Sequence, residues 1–240
     1  MTAPERTPAA APDLPDLDFA VTGAEQERFA AVPALRFGVE ITRTGGGPVR
    51  SVSLTTALRI DVARRRYDPA TQRALAELFG AAERWGTTLH PLAWAQTTLQ
   101  VPAFDRRTRV DVVVPCGYDT EIAVTKYLSA VRDGEVPLDF LFSGTVFYAG
   151  ADGGLRTARV SWSKDATYRM PAPLWHGLIG RYYPDSPWLR LPRETWERLD
   201  AYRVRHVLTD WDATVRSLLD HAETGEQPPA GDRDAHTTAS

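Results

Sequence analysis

The chain has 240 residues and a formal net charge of −3, with 43% hydrophobic and 25% charged residues. This composition is typical of a soluble globular protein, and the length suffices for one well-buried core. The weak negative charge gives no electrostatic reason to expect binding to nucleic acid or to an anionic membrane. The single cysteine, Cys116, excludes an intramolecular disulfide and a thiolate cluster for zinc or iron–sulfur.

Both ends of the chain are rich in proline, alanine and polar residues. We predict disordered tails over residues 1–16 and 223–240, because neither segment can bury enough apolar area to offset its ordering entropy. Between them we expect a single globular domain over 17–222, strand-rich over 17–165 and helical over 171–222. The N-terminus lacks a signal-peptide pattern, and no apolar stretch approaches the roughly 20 residues of a membrane span. The sequence therefore predicts a cytoplasmic protein.

Two strands are predicted near the start of the domain. Apolar residues alternate over 35–41 and again over 52–62, as on half-buried strands. The glycine-rich segment 45–48 separates the two, and we predict that they pair as a hairpin. A short helix follows, with Asp68 as its N-cap and Gly80 at its end.

Extended segments continue through the middle of the chain. Residues 87–101 and 109–114 have the β-branched residues and the alternation of strands. Residues 119–131 fit either a strand or a helix, and we favour a helix that ends at Gly134. In that case Asp119 is a candidate N-cap.

The segment 135–148 is the most informative part of the sequence, because both of its faces are apolar. Phe142 lies on one face, whereas Leu141 and Phe147 lie on the other. A strand with two apolar faces must be covered on both sides, so we predict that this strand is the buried centre of the fold. Gly144 within it indicates a bulge or the close approach of another backbone.

From residue 171 onward the apolar spacing becomes helical. Pro173, Pro192 and Asp210 mark the starts of three helices. About seven strands are thus followed by three helices. This order predicts an α+β fold, with an antiparallel β-sheet or a two-layer β-sandwich and a C-terminal layer of helices.

The sequence shows no recognisable catalytic or metal-binding pattern. Its five histidines form no closely spaced pair, and the glycine-rich loop lacks the Lys-Ser/Thr pair of a phosphate-binding loop. Cys116 follows a run of valines, which predicts a buried thiol with a raised pKa rather than a nucleophile. We therefore predict no catalytic, cofactor-binding or metal-binding residues.

Two features suit a protein interface. Trp85 and Trp188 lie in connecting segments, and we expect one of them to be exposed. Arg64, Arg65 and Arg66 form the densest basic run, which could meet an acidic partner; a solvated strand end is the alternative. Four further tryptophans lie on predicted strands and helices and are expected in the core: Trp94, Trp162, Trp196 and Trp211.

The segment Phe140-Leu-Phe-Ser-Gly-Thr-Val-Phe-Tyr148, the preceding Pro137-Leu138, and Thr87-Thr88-Leu89 with Trp94 resemble an uncharacterised family of actinobacterial proteins. The resemblance covers about residues 16–220. This family has no established activity, cofactor or catalytic residues, so the resemblance implies none here. Its members often lie in gene clusters with NiFe-hydrogenase genes, which implies an accessory, assembly or partner-binding role.

Three functions follow as hypotheses. The first is a non-enzymatic cytoplasmic accessory protein that binds another protein through a sheet edge or an aromatic patch, in an oligomeric state that the sequence leaves open. The second is an enzyme whose active site combines Asp139, Asp165 and His176 near the buried hairpin. The third and weakest is a chaperone-like holder of unfolded chains, by analogy with export chaperones that combine a sheet with helices.

Overall fold

A computed structural model describes residues 14–117, 122–184 and 191–224. The chain divides into two compact units, Met1–Ser186 and Pro187–Ser240. The expectation of a single domain over 17–222 stays a prediction. The predicted tails lie outside the described residues except at their inner ends.

The first unit contains the eight strands of the described chain, and all of their pairings are antiparallel. The strands are β1 (Asp16–Gln26), β2 (Ala34–Thr44), β3 (Val49–Ile60), β4 (Leu92–Val101), β5 (Arg107–Pro115), β6 (Glu135–Ala149), β7 (Leu155–Arg159) and β8 (Asp165–Pro171). One sheet has the order β1–β2–β5. The other has the order β4–β3–β6, and both β7 and β8 pair with β6.

The two sheets pack face to face through aromatic side chains. Phe37 of β2 meets Phe140 of β6 edge-on, with ring centroids 5.2 Å apart. Phe19 of β1 stacks on Phe142 of β6 at 4.2 Å. Edge-on and stacked pairs of this kind add to the stability gained from apolar burial. The core is therefore that of a two-layer sandwich, which confirms the predicted α+β class.

The predicted hairpin of the strands around residues 35–41 and 52–62 is wrong. These strands are β2 and β3, and they belong to different sheets, since β2 pairs with β1 and β5 whereas β3 pairs with β4 and β6. The loop between them carries the chain from one layer to the other. Gly45 and Gly46 have φ of 66° and 58°, a conformation that glycine adopts without steric cost.

The prediction that β6 is covered on both sides holds for only part of its length. Phe140 and Phe142 are buried in the sandwich, and all residues over 136–140 are buried. Leu141 and Phe147, in contrast, are only half-buried. They lie on the outer face of the sheet, where the strands on either side shield them only partly. The outer face of β6 is therefore more exposed than its apolar composition predicts.

The described part of the first unit also contains four α-helices. They are α1 (Pro69–Phe79), α2 (Trp85–Thr88), α3 (Ile122–Ala130) and α4 (Ala172–Tyr182). The Asp68 carboxylate accepts hydrogen bonds from the first amides of α1, and Gly80 ends that helix with φ of 76°. Both predicted helix boundaries are confirmed. The favoured helix of 119–131 is also confirmed, although it ends at Ala130 instead of the predicted Gly134, and Asp119 lies outside the described residues.

Candidate protein-docking surface

The second unit consists of two helices in its described part. They are α5 (Arg193–Arg205) and α6 (Trp211–Glu223), which we call the helix pair. Pro192 directly precedes α5, because proline suits the start of a helix where no amide partner is needed. The Asp210 side chain accepts a hydrogen bond of 2.8 Å from the Ala213 amide, as expected of an N-cap. The predicted starts of both helices are thus confirmed.

Three contacts show how the two helices lie against each other. Each contact joins residues fifteen positions apart, so that α5 and α6 run in the same general direction. The ring centroids of Trp196 and Trp211 are 5.9 Å apart, and the hydroxyl oxygens of Tyr202 and Ser217 are 3.0 Å apart. The imidazole centroids of His206 and His221 are 6.3 Å apart. The seam between the helices is therefore largely polar and aromatic.

The connection between the two helices contains one residue in an unusual backbone conformation, Val207. Its φ is 53°, and it is the only non-glycine residue with positive φ in the described chain. A β-branched residue pays a steric cost of about 1–2 kcal/mol there. Since its side chain is 86% exposed, no packing offsets this strain.

Replacing Val207 by glycine is expected to raise the free energy of local opening of the helix pair by about 1 kcal/mol, because the strain is relieved. Hydrogen exchange of the α6 amides measures this opening. Val204→Gly is the matched control within α5, and it should lower the same quantity by about 1 kcal/mol. A lowering by both variants would contradict the strain at Val207.

One side of α6 presents an apolar stripe to solvent. It consists of Trp211, Val215, Leu218 and Leu219, which we call the α6 face, and these side chains are 37–56% exposed. Their spacing places them on one side of a helix, a pattern that is normally buried against a partner. Trp196 of α5, 47% exposed, extends the stripe beside Trp211.

The helix pair buries very little. Thr214 is the only buried residue over 191–224. Of the fourteen large hydrophobic residues that are exposed in the described chain, six lie in the two helices and a seventh, Val207, lies in the turn between them. Helices of 13 residues are marginal by themselves and depend on packing of their apolar side. The apolar side of α6 is therefore left largely exposed within the helix pair.

Charged side chains surround the α6 face. Arg203 of α5 lies over the Trp211 ring, 5.1 Å from its centroid, in a cation–π contact. Arg216 and Asp212 form an ion pair of 2.6 Å along α6. The apolar side of α6 thus has charged side chains beside it.

The predicted basic run lies at the end of β3 and is largely engaged within the sandwich unit. Arg64 contacts the carboxylates of Asp61 at 2.7 Å and Asp139 at 3.2 Å. Arg65 donates to both the carbonyl and the carboxylate of Asp133 at 2.8 Å. Arg64 and Arg65 thus both have acidic partners within the sandwich unit.

The remaining predicted interface residues have different surroundings. Arg66 is exposed. Trp85 is buried, and its indole N–H donates to the Gly80 carbonyl at 3.0 Å, so this side chain packs in the sandwich unit. Trp188 lies outside the described residues. The interface role of these side chains stays a prediction.

The residues of the enzyme hypothesis have separate partners. Asp139 is 8% exposed and lies between the guanidinium groups of Arg64 and Arg59. The His176 Nε2 atom lies 2.8 Å from the Val131 carbonyl oxygen. Asp165 is exposed at the start of β8. Among the described contacts, none joins any two of Asp139, Asp165 and His176.

Two further observations apply to the described residues as a whole. No group of three or more His, Cys, Asp or Glu side chains over these residues could hold a metal ion. None of the helices found there is long and apolar enough to cross a membrane.

The model of DUF6084, a family of unknown function, matches residues 14–227, which include the described strands of the sandwich and both helices of the pair. The chain belongs to the DUF6084 family. No curated protein is significantly similar to this DUF6084 chain.

Solved structures resemble the DUF6084 chain only distantly. The crystal structure of the CARDB domain of the PF1109 protein from Pyrococcus furiosus, in complex with di-metal ions, is 10% identical and has a TM-score of 0.27, over 66% of this chain and 94% of that one. A solution structure of the same domain is 11% identical with a TM-score of 0.25, over 66% and 95%. A β-glucosidase from Kluyveromyces marxianus is 8% identical with a TM-score of 0.22, over 65% and 15%. TM-scores this low carry no argument about function.

The tryptophans of this DUF6084 protein separate into core and surface. Trp94 is 4% exposed, which confirms its predicted core position. The core prediction is wrong for Trp162, which is 95% exposed in the turn between β7 and β8, beyond the end of the strand. It is also wrong for Trp196 and Trp211, whose helical stripes indicated a buried side. The apolar spacing of α6 was the sequence pattern from which the α6 face could have been predicted. That spacing indicates that one side of the helix is covered, but it does not identify the covering residues.

Burial raises the pKa of the Cys116 thiol to about 12, from an ordinary value of 9.0. We expect native Cys116 to react with a thiol reagent at pH 8 about 1,000-fold more slowly than in the unfolded chain, because three pKa units separate the thiolate fractions. The stability that comes from keeping the Cys116 thiol protonated is fully present below pH 9 and is lost as the pH rises towards 12. Labelling with and without urea checks this; equal rates would contradict it.

Proposed function

We propose that this protein is a non-enzymatic binding protein whose helix pair docks on another polypeptide chain through the α6 face. The observation that carries the proposal is the exposure of Trp211, Val215, Leu218 and Leu219 on a single side of α6. A helix of 13 residues gains most of its stability by packing such a side. A helix built in this way therefore functions with its apolar side covered.

The composition of the α6 face supports a protein as the covering molecule. Tryptophan and arginine are the side chains most often found at the energetic centre of protein interfaces. Here Trp211 lies at one end of the face with Arg203 stacked over it. The middle of the face is aliphatic, through Val215, Leu218 and Leu219, which suits packing against another apolar helix.

The resemblance to actinobacterial proteins encoded beside NiFe-hydrogenase genes makes a hydrogenase subunit or assembly factor one expected partner. This part of the proposal is supported by the resemblance alone. The proposal also places the protein in the cytoplasm, a compartment in which its lone cysteine stays reduced.

A photo-crosslinking amino acid at position 219 tests the docking proposal in the native host. We expect irradiation to yield an adduct with another polypeptide chain from position 219. The same amino acid at position 204 is the matched control, since Val204 is 62% exposed on α5 and lies outside the α6 face. Leu218→Asp should abolish the adduct from position 219. The absence of any intermolecular adduct, or equal adducts from both positions, would overturn the proposal.

A further inference from the structure

We propose that His206 and His221 form a binding site for a divalent transition-metal ion of the zinc type, at the seam between α5 and α6. The sequence prediction of no metal-binding residues rests on histidine spacing along the chain, where these two lie fifteen positions apart. The helix pair brings their imidazole centroids to 6.3 Å. The site is separate from the α6 face, which contains neither histidine.

The separation of the two rings fits a shared ion. A zinc ion lies about 2.0–2.1 Å from a ligating imidazole nitrogen, and therefore about 3.2 Å from the centre of the ring. Two rings on one ion thus have centroids about 5–6.4 Å apart, the shorter distance belonging to tetrahedral coordination. The observed 6.3 Å lies within this range, and an approach of about 1 Å makes the geometry tetrahedral.

The His221 ring is oriented with one nitrogen available for a ligand. Its Nδ1 atom lies 2.6 Å from the Ser217 carbonyl oxygen, one turn earlier in α6. A carbonyl oxygen only accepts hydrogen bonds, so Nδ1 carries the proton of the neutral imidazole and the lone pair lies on Nε2. Metal-bound histidines typically donate their other N–H to a carbonyl in this way.

Tyr202 supports the His206 ring from one side. The centroids of the two rings are 4.2 Å apart, with an interplanar angle of 33°. The Tyr202 hydroxyl oxygen lies 3.0 Å from that of Ser217, the same residue whose carbonyl orients His221. Among the described contacts, the His206 ring nitrogens make no hydrogen bond, and the ring has only aromatic neighbours. Both of its nitrogens therefore remain for a ligand.

Both histidines lie at helix C-termini, where the local field favours a cation. His206 is the C-cap of α5, and His221 lies in the last turn of α6. The unpaired carbonyl groups at each helix end carry a partial negative charge of about half an electron. The basic side chains of the last turn of α5 oppose this field only weakly, because Arg203 pairs with Asp200 at 2.9 Å and Arg205 is exposed to solvent.

The ligand type selects the class of ion. Imidazole nitrogen suits zinc and related first-row divalent ions, whereas magnesium and calcium require oxygen ligands. Two imidazoles are fewer than the three protein ligands of a catalytic zinc site, so water completes the coordination. His206 is exposed and His221 half-buried, which leaves room for that water. The bound ion holds the C-terminal ends of α5 and α6 together.

Calorimetric titration of the full-length chain, made without a histidine tag and freed of metal by a chelator, tests the site. We expect one zinc ion per chain with a dissociation constant between about 1 and about 100 µM, because the site has half the protein ligands of a structural zinc site. Magnesium should not bind. His206→Ala and His221→Ala should each raise the zinc constant at least about tenfold. His90→Ala is the matched control at an exposed histidine and should not change it.

Two measurements on the unsubstituted chain keep the test independent of folding defects. In ring-nitrogen NMR spectra, zinc should shift the Nε2 signal of His221 and one nitrogen signal of His206, and leave the signals of His90 and His176 in place. At free zinc of about ten times the dissociation constant, hydrogen exchange of the α6 amides should slow about tenfold, since the ion binds only the closed helix pair.

Three results would overturn the metal site. The first is the absence of zinc binding below about 1 mM. The second is an unchanged zinc affinity in both His206→Ala and His221→Ala, and the third is saturation with zinc without a shift at either ring. The last two would show an adventitious ion only, held elsewhere on the chain. The crosslinking result from position 219 is unaffected by any of these outcomes, so the docking function stands or falls separately.

Discussion

Replacing Gly144 by alanine is expected to lower the free energy of unfolding by more than about 3 kcal/mol. Gly144 has φ of 145°, a conformation that residues with a Cβ atom rarely adopt. A Cβ atom there would lie 2.0 Å from the Ser53 carbonyl oxygen of the neighbouring strand. This contact is with backbone in the middle of a sheet, so no side-chain rotation can relieve it.

Gly86→Ala is the matched control for this substitution. Gly86 lies in α2, and a Cβ atom there would meet no heavy atom within 4 Å. Alanine should therefore be neutral or stabilise the helix by up to about 1 kcal/mol. Urea unfolding of both variants measures the difference. Equal stabilities of the two variants would show that β6 does not approach β3 as closely as described.

Phe142→Ala is expected to cost about 3–5 kcal/mol, through lost burial and the cavity that remains. Phe142 is 2% exposed, and its ring stacks on Phe19 of the opposite sheet with centroids 4.2 Å apart. It also stacks on Phe140 two residues earlier on the same face, at 6.4 Å. Removing the ring therefore weakens packing both within one sheet and between the two sheets.

Leu141→Ala separates the two faces of the same strand. Because Leu141 is half-buried on the outer face, its loss should cost about 1 kcal/mol, well below the full core value. Denaturant unfolding of both variants at one pH gives the comparison. Equal costs would indicate that the outer face of β6 is covered as completely as the inner one, as its apolar composition alone suggests.

Local signals in the sequence are sufficient to place many elements of this fold. Asp68 and Asp210 each precede a helix and accept amide hydrogen bonds at its first turn, an arrangement that depends on adjacent residues only. Gly144 stands in an apolar strand where a side chain would be expected, and that mismatch predicts a close approach. Such signals need no knowledge of the rest of the molecule.

Pairing and exposure depend on distant residues and are harder to predict. Alternation over β2 and β3 shows which face of each strand is buried, but both faces of a sandwich interior have the same pattern, so it does not identify the partner strand. Trp85 lies in a connection, yet its ring packs against Phe79 and Tyr67 and is buried. For the α6 face, the stripe requires a cover that the helix pair itself does not supply.

By our proposal, the α6 face is open in the isolated chain and covered by another chain in use. Carbene footprinting of Leu218 and Leu219 tests it most directly, with the purified protein at high dilution compared with the protein in its host cells. We predict strong labelling in the dilute sample and clear protection in the cells, with the exposed Val204 labelled equally in both. Protection of Leu218 and Leu219 already in the dilute chain would show that the face is covered within a single molecule, which would contradict the account.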